Sequence, residues 1–446
     1  MKKFAYLLFL NVLSLSYSIQ TIAQEKLSDS ALLNIVERQT FRYFWEGAEP
    51  TSGMGRERIN MDDIYPENDK NIITIGGSGF GIMALIVGIE RKFITRKEGA
   101  QRMDKILRFL ETADRFHGTW PHWLNGETGK VKPFGTKDDG ADLVETSYLL
   151  QGLLCARQYF KHGNGTERAL SVRIDQLWKT VEFNWFQHGQ NVLYWHWSPD
   201  YGWDMNFPVR GVNECMIMYV MAASSPTYPI DSIVFSEGWA QNGNIKQAHQ
   251  ALGYPLKLKY QGDFSNGVPL FWTQYSFLGL NPQGLKDQYT NYWEENTNQT
   301  LINYKWCVTN PNNYTGYGQN NWGLTASYST VGYAAHAPDA KHDLGVISPT
   351  AAISAFPYSP KQSMAAVRHW YGYMNKKLWG AYGFYDAFSE KDNWYPEKYL
   401  AIDQGPEIVM IENYRTGLLW KLFMSCPEIQ NGLHKLGFIS AKKSKK

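Results

Sequence analysis

Three acidic side chains follow one another at helical spacing in this sequence, namely Asp138, Asp142 and Glu145. Because residues three and four apart share one face of an α-helix, the carboxyl groups of this acidic cluster would lie together. Like charges held so close raise the pKa of one member, which lets a neutral carboxylic acid persist near pH 7. The spacing therefore predicts an acid–base site. The alternative is capping, in which Asp138 or Asp139 caps the helix and Asp142 favours its dipole.

Two further acids stand where apolar segments begin. Glu214 directly precedes the apolar run of residues 215–223, and Asp403 precedes Pro406, a residue suited to the first turn of a helix. Partial burial at the head of so apolar a helix raises a carboxyl pKa, which favours Glu214 as a general acid. Arg210, four residues earlier, is a structural ion-pair partner in the alternative interpretation. Asp403 is either a site residue or only a helix cap.

Glycoside hydrolysis commonly uses two carboxyl groups that flank the bond to be cleaved, and acids on different helices can take up such positions. One protonated acid donates to the glycosidic oxygen while one carboxylate activates water. Inversion of the anomeric centre needs roughly 6.5–9.5 Å between them, to admit the water. We predict Glu214 as the acid and either Asp403 or a member of the acidic cluster as the base.

Motifs for metal binding are missing from the sequence. The four Cys residues form no C-x-x-C pair, and the ten His residues form no H-E-x-x-H pair. Since two carboxylates suffice for this hydrolysis, we expect no metal and no other cofactor.

Aromatic residues are abundant, with 17 Trp and 28 Tyr. Their flat rings fill cores, but they also form surfaces on which sugar rings stack. Several Trp residues fall in or beside loops that also carry the acids. We predict a substrate-binding rim that consists of Trp120, His122, Trp123, Trp195, Trp203, Arg210, Trp272 and Trp322.

Two classes of helix alternate along the chain and would position these side chains. Amphipathic patterns cover residues 27–45, 95–116, 167–186, 285–306 and 360–378. Patterns that are apolar nearly all round, as in buried helices, cover residues 80–89, 143–155, 215–223, 270–280, 351–356 and 408–419.

A further helix between residues 230 and 250 would make about six of each class. The alternation predicts an all-α fold, an (α/α)6 toroid of six helical hairpins with long aromatic loops on one rim. An irregular helical bundle is the alternative. Residues 192–197 predict a short hairpin arm within a loop.

The first residues have the pattern of a signal peptide. Lys2 and Lys3 precede an apolar stretch at residues 4–15, and Ala23 ends a cleavage site. No Cys follows, so we expect a periplasmic or secreted protein without a lipid anchor. Residues 24–446 would form a single catalytic domain.

Charge and composition narrow the class of partner. A formal net charge of +2 gives no reason to expect nucleic acid or a membrane as partner. We expect a monomer whose partner is a polysaccharide or oligosaccharide.

Several motifs, in their order along nearly the whole mature chain, resemble the bacterial β-1,2-glucanase family, whose members are often labelled glucoamylase-like. They are the runs at residues 40–45, 76–81, 119–122, 138–145, 213–214 and 403–407. The resemblance implies an α/α six-hairpin toroid and hydrolysis of β-1,2-glucans with inversion and without a metal. It also implies functional importance for the acidic cluster and Glu214.

The resemblance leaves open whether cleavage is endo or releases sophorose from a chain end. Two alternatives to this function are an α-glucan hydrolase of the glucoamylase type and a non-catalytic glycan-binding protein. The intact acids speak against the second alternative.

Overall fold

The computed structural model describes residues 27–439, apart from the side chains of residues 67 and 68. The predicted signal peptide, residues 1–23, lies outside this range. The chain divides into a short unit that ends at Ile35 and a large unit from Val36 onward, to which all the site residues belong. Within the described residues, no helix combines the length and the apolar character needed to cross a membrane.

The described chain is mainly helical, as predicted. Its fourteen α-helices are α1 (Asp29–Trp45), α2 (Ile75–Glu90), α3 (Arg96–Thr112), α4 (Leu143–Phe160), α5 (Gly165–Lys179), α6 (Met216–Ser224), α7 (Phe271–Gln274), α8 (Tyr292–Thr309), α9 (Pro349–Ile353), α10 (Pro360–Tyr373), α11 (Asn375–Leu378), α12 (Ala401–Thr416), α13 (Leu418–Met424) and α14 (Pro427–Lys435).

Thirteen short strands form small antiparallel ladders between the helices. They are β1 (Arg58–Asn60), β2 (Ile72–Thr74), β3 (Trp123–Asn125), β4 (Val131–Lys132), β5 (Ala141–Asp142), β6 (His196–Trp197), β7 (Lys246–Ala251), β8 (Tyr254–Leu258), β9 (Ala326–Ser329), β10 (Gly332–Ala335), β11 (Trp379–Gly380), β12 (Gly383–Phe384) and β13 (Lys398–Leu400). The sheets are β1–β13, β2–β3–β4, β5–β6, β7–β8, β9–β10 and β11–β12.

One local prediction was wrong and one was confirmed in part. Residues 192–197 form no hairpin of their own, because β6 pairs with β5 and places His196 opposite Asp142. The helix predicted between residues 230 and 250 is short and largely π-helical, Val234–Trp239, and a 3-10 turn follows it before strand β7.

The six segments predicted to be apolar on all sides contact one another in sequence order and back to the first. Helix α2 packs against α4 and α12, α4 also packs against α6, and α9 packs against α12. The amide of Ile217, in α6, donates to Ser276 Oγ at 3.0 Å, and Gln274 of α7 donates to the Ala351 carbonyl of α9 at 3.1 Å. Amphipathic helices lie against this set, with α3 on α2, α5 on α4 and α10 on α9.

Helices α2 and α4 approach closely because glycines face each other across the contact. A Cβ at Gly152 would lie 2.0 Å from the Gly79 carbonyl oxygen, and a Cβ at Gly79 would lie 2.3 Å from the Tyr148 carbonyl oxygen. Such distances exclude any side chain at either position. Since α2 and α4 both carry site residues at their N-terminal ends, the glycines fix the spacing of the site.

We predict that Gly152→Ala destabilises the protein by about 2–3 kcal/mol, because the added methyl overpacks a backbone contact. The measurement is urea-induced unfolding followed by circular dichroism. Gly372→Ala is the matched control, since Gly372 lies in helix α10 with no atom within 4 Å of its added Cβ. That change should stabilise the protein by roughly 0.5–1 kcal/mol. Equal unfolding midpoints for the wild type and Gly152→Ala would contradict the close packing.

Candidate active site

The N-terminal ends of several helices from the segments that are apolar on all sides line a cavity of about 640 Å³. Thr74 precedes α2, Glu145 lies in the first turn of α4, Glu214 lies just before α6, Phe271 begins α7 and Ile402 lies in the first turn of α12. The full lining is Glu57, Arg58, Thr74, His122, Trp123, Phe134, Glu145, Tyr148, Trp195, Glu214, Phe271, Tyr275, Ala326, Tyr328, Tyr333, Ala334, Ala335, Leu400 and Ile402.

Asp142 caps helix α4 and also anchors the cavity wall. Its Oδ1 accepts the Glu145 N–H at 2.8 Å, so the cap of helix α4 is Asp142 and not Asp138 or Asp139, which the capping alternative named. Its Oδ2 accepts the Trp195 indole N–H at 3.0 Å and lies 3.1 Å from His122 Nδ1. Burial raises the pKa of Asp142, but the hydrogen bond from His122 and the charges of His196 and His122 outweigh it and lower the pKa. Asp142 is therefore an ionised, fully engaged carboxylate.

His122 carries the opposite charge. Burial lowers the pKa of its imidazole, but Glu145, Asp142 and Asp138 together raise it to about 9. The second histidine of this group, His196, has its Nδ1 3.2 Å from Asp138 Oδ1. Asp142 is thus engaged by His122, Asp138 lies beside His196, and Glu145 is the member of the acidic cluster that lines the cavity.

Glu145 points back toward the start of α2. Its Oε2 accepts the Gly76 N–H at 2.7 Å and lies 3.5 Å from the Thr74 hydroxyl. Burial raises the pKa of Glu145 to about 7, with the positive charge of His122 opposing and the charge of Asp142 reinforcing that rise. As the spacing predicted, one carboxyl of the cluster holds its proton more tightly than usual.

Glu214 is held by its backbone, and its side chain lines the cavity. Its carbonyl oxygen accepts the Tyr148 hydroxyl at 3.2 Å and the Ser276 hydroxyl. Burial raises the pKa of the Glu214 carboxyl to about 7, partly offset by its own backbone N–H and reinforced by Glu145. A carboxyl with this pKa is partly protonated near neutral pH, and its protonated form can act as a general acid.

Asp403 lies behind the cavity wall. It is 1% exposed in the first turn of α12, directly after the lining residue Ile402. Its side chain lies beside the hydroxyl of Tyr275, which lines the cavity, and faces the carboxyl of Asp386. Burial, followed by the charge of Asp386, raises the pKa of Asp403 well above its ordinary value.

Aromatic rings cover one side of the cavity. Phe134 stacks on His122 with centroids 4.2 Å apart and meets Trp123 edge to face at 4.9 Å. Trp195 stacks on Phe207 at 5.3 Å. A second space of about 490 Å³ shares His122, Phe134 and Trp195 with the main cavity. The cleft thus continues past the acids along stacked rings, as an extended sugar chain would require.

Five residues of the predicted rim do not line the main cavity. Trp120 and Trp322 are fully buried, with their indole nitrogens donating to the carbonyls of Leu110 and Gln362. Trp203 packs among other aromatic rings, Trp272 packs against Phe264 and Phe271, and Arg210 donates to the Glu237 carbonyl at 3.5 Å. Of the predicted rim, His122, Trp123 and Trp195 line it.

Several lining residues were missed at the level of sequence. Glu57 and Arg58 come from a short segment without a motif, although adjacent opposite charges in an extended run are a weak signal. Arg58 lies 5.9 Å from the Trp123 ring centroid. Tyr328 and Tyr333 come from the hairpin β9–β10, which the alternation of residues 326–335 could have indicated.

One group in the described chain has the geometry of a candidate metal site. Ligand atoms of His122, Asp138 and Asp142 all lie within 4.8 Å of one another. They come from separate segments, so no motif marks them. The raised pKa of His122 puts a proton on this imidazole near neutral pH, and an imidazolium opposes cation binding.

Comparison with known proteins assigns the chain to a family. The Glycoamylase family model, described as "Putative glucoamylase", matches residues 206–427. The chain is 64% identical to an endo-β-1,2-glucanase from Chitinophaga pinensis solved with sophorotriose and glucose, with a TM-score of 0.92 over 93% of this chain and 99% of that one. The chain belongs to the bacterial β-1,2-glucanase family.

Other members of the β-1,2-glucanase family differ in length and name. An exo β-1,2-glucooligosaccharide sophorohydrolase of Parabacteroides distasonis is 46% identical over 426 residues. The match takes in 92% of this chain but only 58% of that curated relative, so the chain spans little more than half its length. The β-1,2-glucanase from the same organism has a solved structure that is 45% identical, with a TM-score of 0.87 over 92% of this chain and 60% of that chain.

We predict that the His122 ring titrates near pH 9, and that Asp142→Asn lowers this pKa by about one unit or more. Asn keeps an oxygen that can accept the Glu145 N–H, so the helix cap survives while the negative charge is lost. The measurement is a pH titration of the imidazole resonances by NMR. A His122 that titrates below pH 7 in the wild type would contradict the ion-pair network.

Proposed function

We propose that this protein is a glycoside hydrolase that cleaves β-1,2-glucan with inversion. The observation that carries the proposal is the pair of carboxyl groups, Glu145 and Glu214, that line one aromatic cavity with a pKa near 7 each. The names of the relatives supply the linkage. Both the endo-β-1,2-glucanase and the sophorohydrolase act on β-1,2-linked glucose, which favours this glucan over starch.

We also propose the finer features that go with this family. The cycle of contacts among the six apolar segments supports an (α/α)6 toroid of six hairpins, formed as one domain from residue 24 onward. The charged and apolar pattern of residues 1–23 supports export to the periplasm or beyond. A cleft that continues on both sides of His122 and Trp195 supports a chain-binding, endo mode of cleavage. A monomer is proposed as well.

Glu214 is the general acid in this proposal. Its proton passes to the glycosidic oxygen as the bond to the anomeric carbon breaks, and water attacks the opposite face of the sugar. Glu145 lies close enough to raise the pKa of Glu214, and its own charge is held by the Gly76 N–H. Glu145 therefore serves to keep Glu214 protonated.

Asp403 is the base in this proposal, acting through the Tyr275 hydroxyl. Asp142 is a poor base because three donors already engage it. Asp403 lies in helix α12, whereas Glu214 lies just before helix α6. The two carboxyl groups therefore approach the sugar from different sides. The Tyr275 hydroxyl lies beside the Asp403 carboxyl, and within the described chain no cation and no backbone N–H donates to it, so its pKa is raised and it is a strong base once ionised. Glu145 is the alternative base, because it lines the cavity itself.

We predict reducing-sugar release from linear β-1,2-glucan and none from starch or laminarin. The assay is run in EDTA, because the two-carboxylate chemistry needs no metal. Activity on starch alone would favour an α-glucan hydrolase, and binding without release would favour a glycan-binding protein. Activity that is lost in EDTA and restored by a single metal would contradict the metal-free mechanism and assign a cation to His122, Asp138 and Asp142.

We predict that Glu214→Gln lowers turnover on β-1,2-glucan by about a hundredfold or more while the circular dichroism spectrum is unchanged. Activity of the wild type should fall as the pH rises above about 7, because the acid must be protonated. A glycosyl fluoride, whose leaving group needs no proton, should restore turnover to Glu214→Gln but not to Asp403→Asn. Proton NMR should show the α-anomer first. Near-normal turnover in Glu214→Gln, or the β-anomer first, would overturn the assignment.

A further inference from the structure

A groove beside the main cavity is lined by apolar side chains that solvent reaches. It encloses about 490 Å³ and shares His122, Phe134 and Trp195 with the main cavity, so the two spaces are continuous. Phe134, Met205 and Phe207 are 55%, 36% and 40% exposed. We call this space the outer groove, and the residues that define it are Phe134, Asp138, Trp195, His196, Met205 and Phe207. Exposed apolar side chains gathered in a concave space are typical of a binding site.

Three nearly parallel rings form much of the apolar wall of the outer groove. The ring centroid of Trp195 lies 5.3 Å from that of Phe207, with 6° between the planes, and 5.7 Å from that of His196, with 19° between the planes. The Trp195 N–H donates to the Phe207 carbonyl at 3.0 Å, and the Leu143 N–H donates to the Trp195 carbonyl at 3.0 Å. The rings are therefore tied to the start of helix α4, the helix that carries Glu145, and are held in place before any ligand binds.

The buried side of the outer groove carries polar atoms without hydrogen bonds. Asp138 and His196 are 6% and 7% exposed. Asp138 Oδ1 and His196 Nδ1 lie 3.2 Å apart, yet neither atom makes a hydrogen bond of acceptable geometry within the described chain. Buried polar atoms of this kind are normally satisfied by water or by a ligand. A carboxyl oxygen can accept from a hydroxyl group, and an imidazole nitrogen can donate to one or accept from one.

One chemical class of ligand matches both sides of the outer groove. A pyranose ring has apolar C–H faces, which stack on flat rings such as Phe207 and Phe134, and it carries hydroxyl groups around its edge. Those hydroxyl groups can bond Asp138 and His196, whereas an apolar ligand would leave both side chains without a partner. Because the outer groove is continuous with the main cavity, the sugar that it receives belongs to the chain that enters that cavity.

We propose that the outer groove binds a glucose unit of the same β-1,2-glucan chain whose scissile bond lies at Glu214, and that Phe207 and Met205 thereby determine a preference for long chains. The inference rests on the proposed hydrolase function, to which it adds a chain-length specificity. Chains that span both spaces gain contacts in the outer groove, whereas the shortest substrates occupy the main cavity alone. These contacts lie away from the reacting bond, so they lower KM for long chains more than they change kcat.

The test is the effect of Phe207→Ala on substrates of different length. The measured quantity is kcat/KM on linear β-1,2-glucan divided by kcat/KM on the shortest β-1,2-linked oligosaccharide that the wild type cleaves. This ratio should fall about tenfold, mainly through KM on the long chain, because a stacking surface is lost. Phe207→Tyr keeps the ring and should keep the ratio. Met205→Asp puts a charge on the exposed apolar wall and should also lower the ratio, so it serves as the second variant if Phe207→Ala fails to fold.

Tyr201→Ala is the matched control. Tyr201 lies in the same loop between β6 and α6 and is 42% exposed, close to the value for Phe207, but it lines neither space. Its substitution should leave the ratio unchanged. An unchanged ratio in folded Phe207→Ala and Met205→Asp, or the same fall in Tyr201→Ala, would overturn the proposal. A wild-type dimer in analytical ultracentrifugation that Phe207→Ala dissociates would also overturn it, because a second copy would then occupy the outer groove.

A binding measurement separates this proposal from the proposed function. Isothermal titration calorimetry of Glu214→Gln with β-1,2-glucan and with short β-1,2-linked oligosaccharides needs no turnover. Long chains should bind more tightly per site than short ones, and adding Phe207→Ala should weaken the binding of long chains about tenfold. A wild type that binds with this length dependence but does not cleave would refute the hydrolase function and support the outer groove as a sugar site. Equal affinities for long and short chains, or no binding of either, would overturn the outer groove.

Discussion

The first turn of helix α4 has to be satisfied inside the protein, and much of the site depends on that constraint. Almost every residue of α4 is buried, so its leading N–H groups cannot reach water. Asp142 supplies the acceptor and becomes a buried charge in doing so. A buried charge needs partners, and the partners are His122 and Trp195, which both line the cavity. The same carboxylate, that of Asp142, therefore caps helix α4 and holds two residues of the cavity lining in place.

The carboxyl groups of the site differ in protonation because they receive different numbers of hydrogen bonds. Asp142, with three donors, is held ionised, whereas Glu145 and Glu214 have fewer partners and stay partly protonated near neutral pH. Asp403 has a neighbouring carboxyl instead of a cation, and burial together with the charge of that neighbour raises its pKa well above the ordinary value. Burial alone would raise the pKa of all of them. The protein distinguishes them by where it places imidazoles, backbone N–H groups and a second acid.

The sequence predicted those parts of the fold and of the site that depend on residues close together along the chain. Helical periodicity distinguishes buried from amphipathic helices, and acids beside the starts of apolar segments indicate the rim of the cavity. The direction of an indole ring is not encoded in that way, so Trp120 and Trp322 were assigned to the rim although their rings fill the core. Asp386 and Phe134 belong to segments that no motif marks, and Tyr333 comes from the β9–β10 hairpin, whose alternation is a local signal without a link to the acids.

The close contact between the glycines of helices α2 and α4 also matters for the chemistry of the site. Glu145 is held by the N–H of Gly76, at the start of α2, yet it belongs to α4, so its charge depends on the spacing of two helices. Gly79 and Gly152 set that spacing through backbone contacts that a single methyl group would disrupt. A shift of a few tenths of an ångström would lengthen the Gly76–Glu145 hydrogen bond and raise the proton affinity of Glu145. The charge that Glu145 presents to Glu214 would then weaken, so packing remote from the sugar sets the proton that the general acid carries.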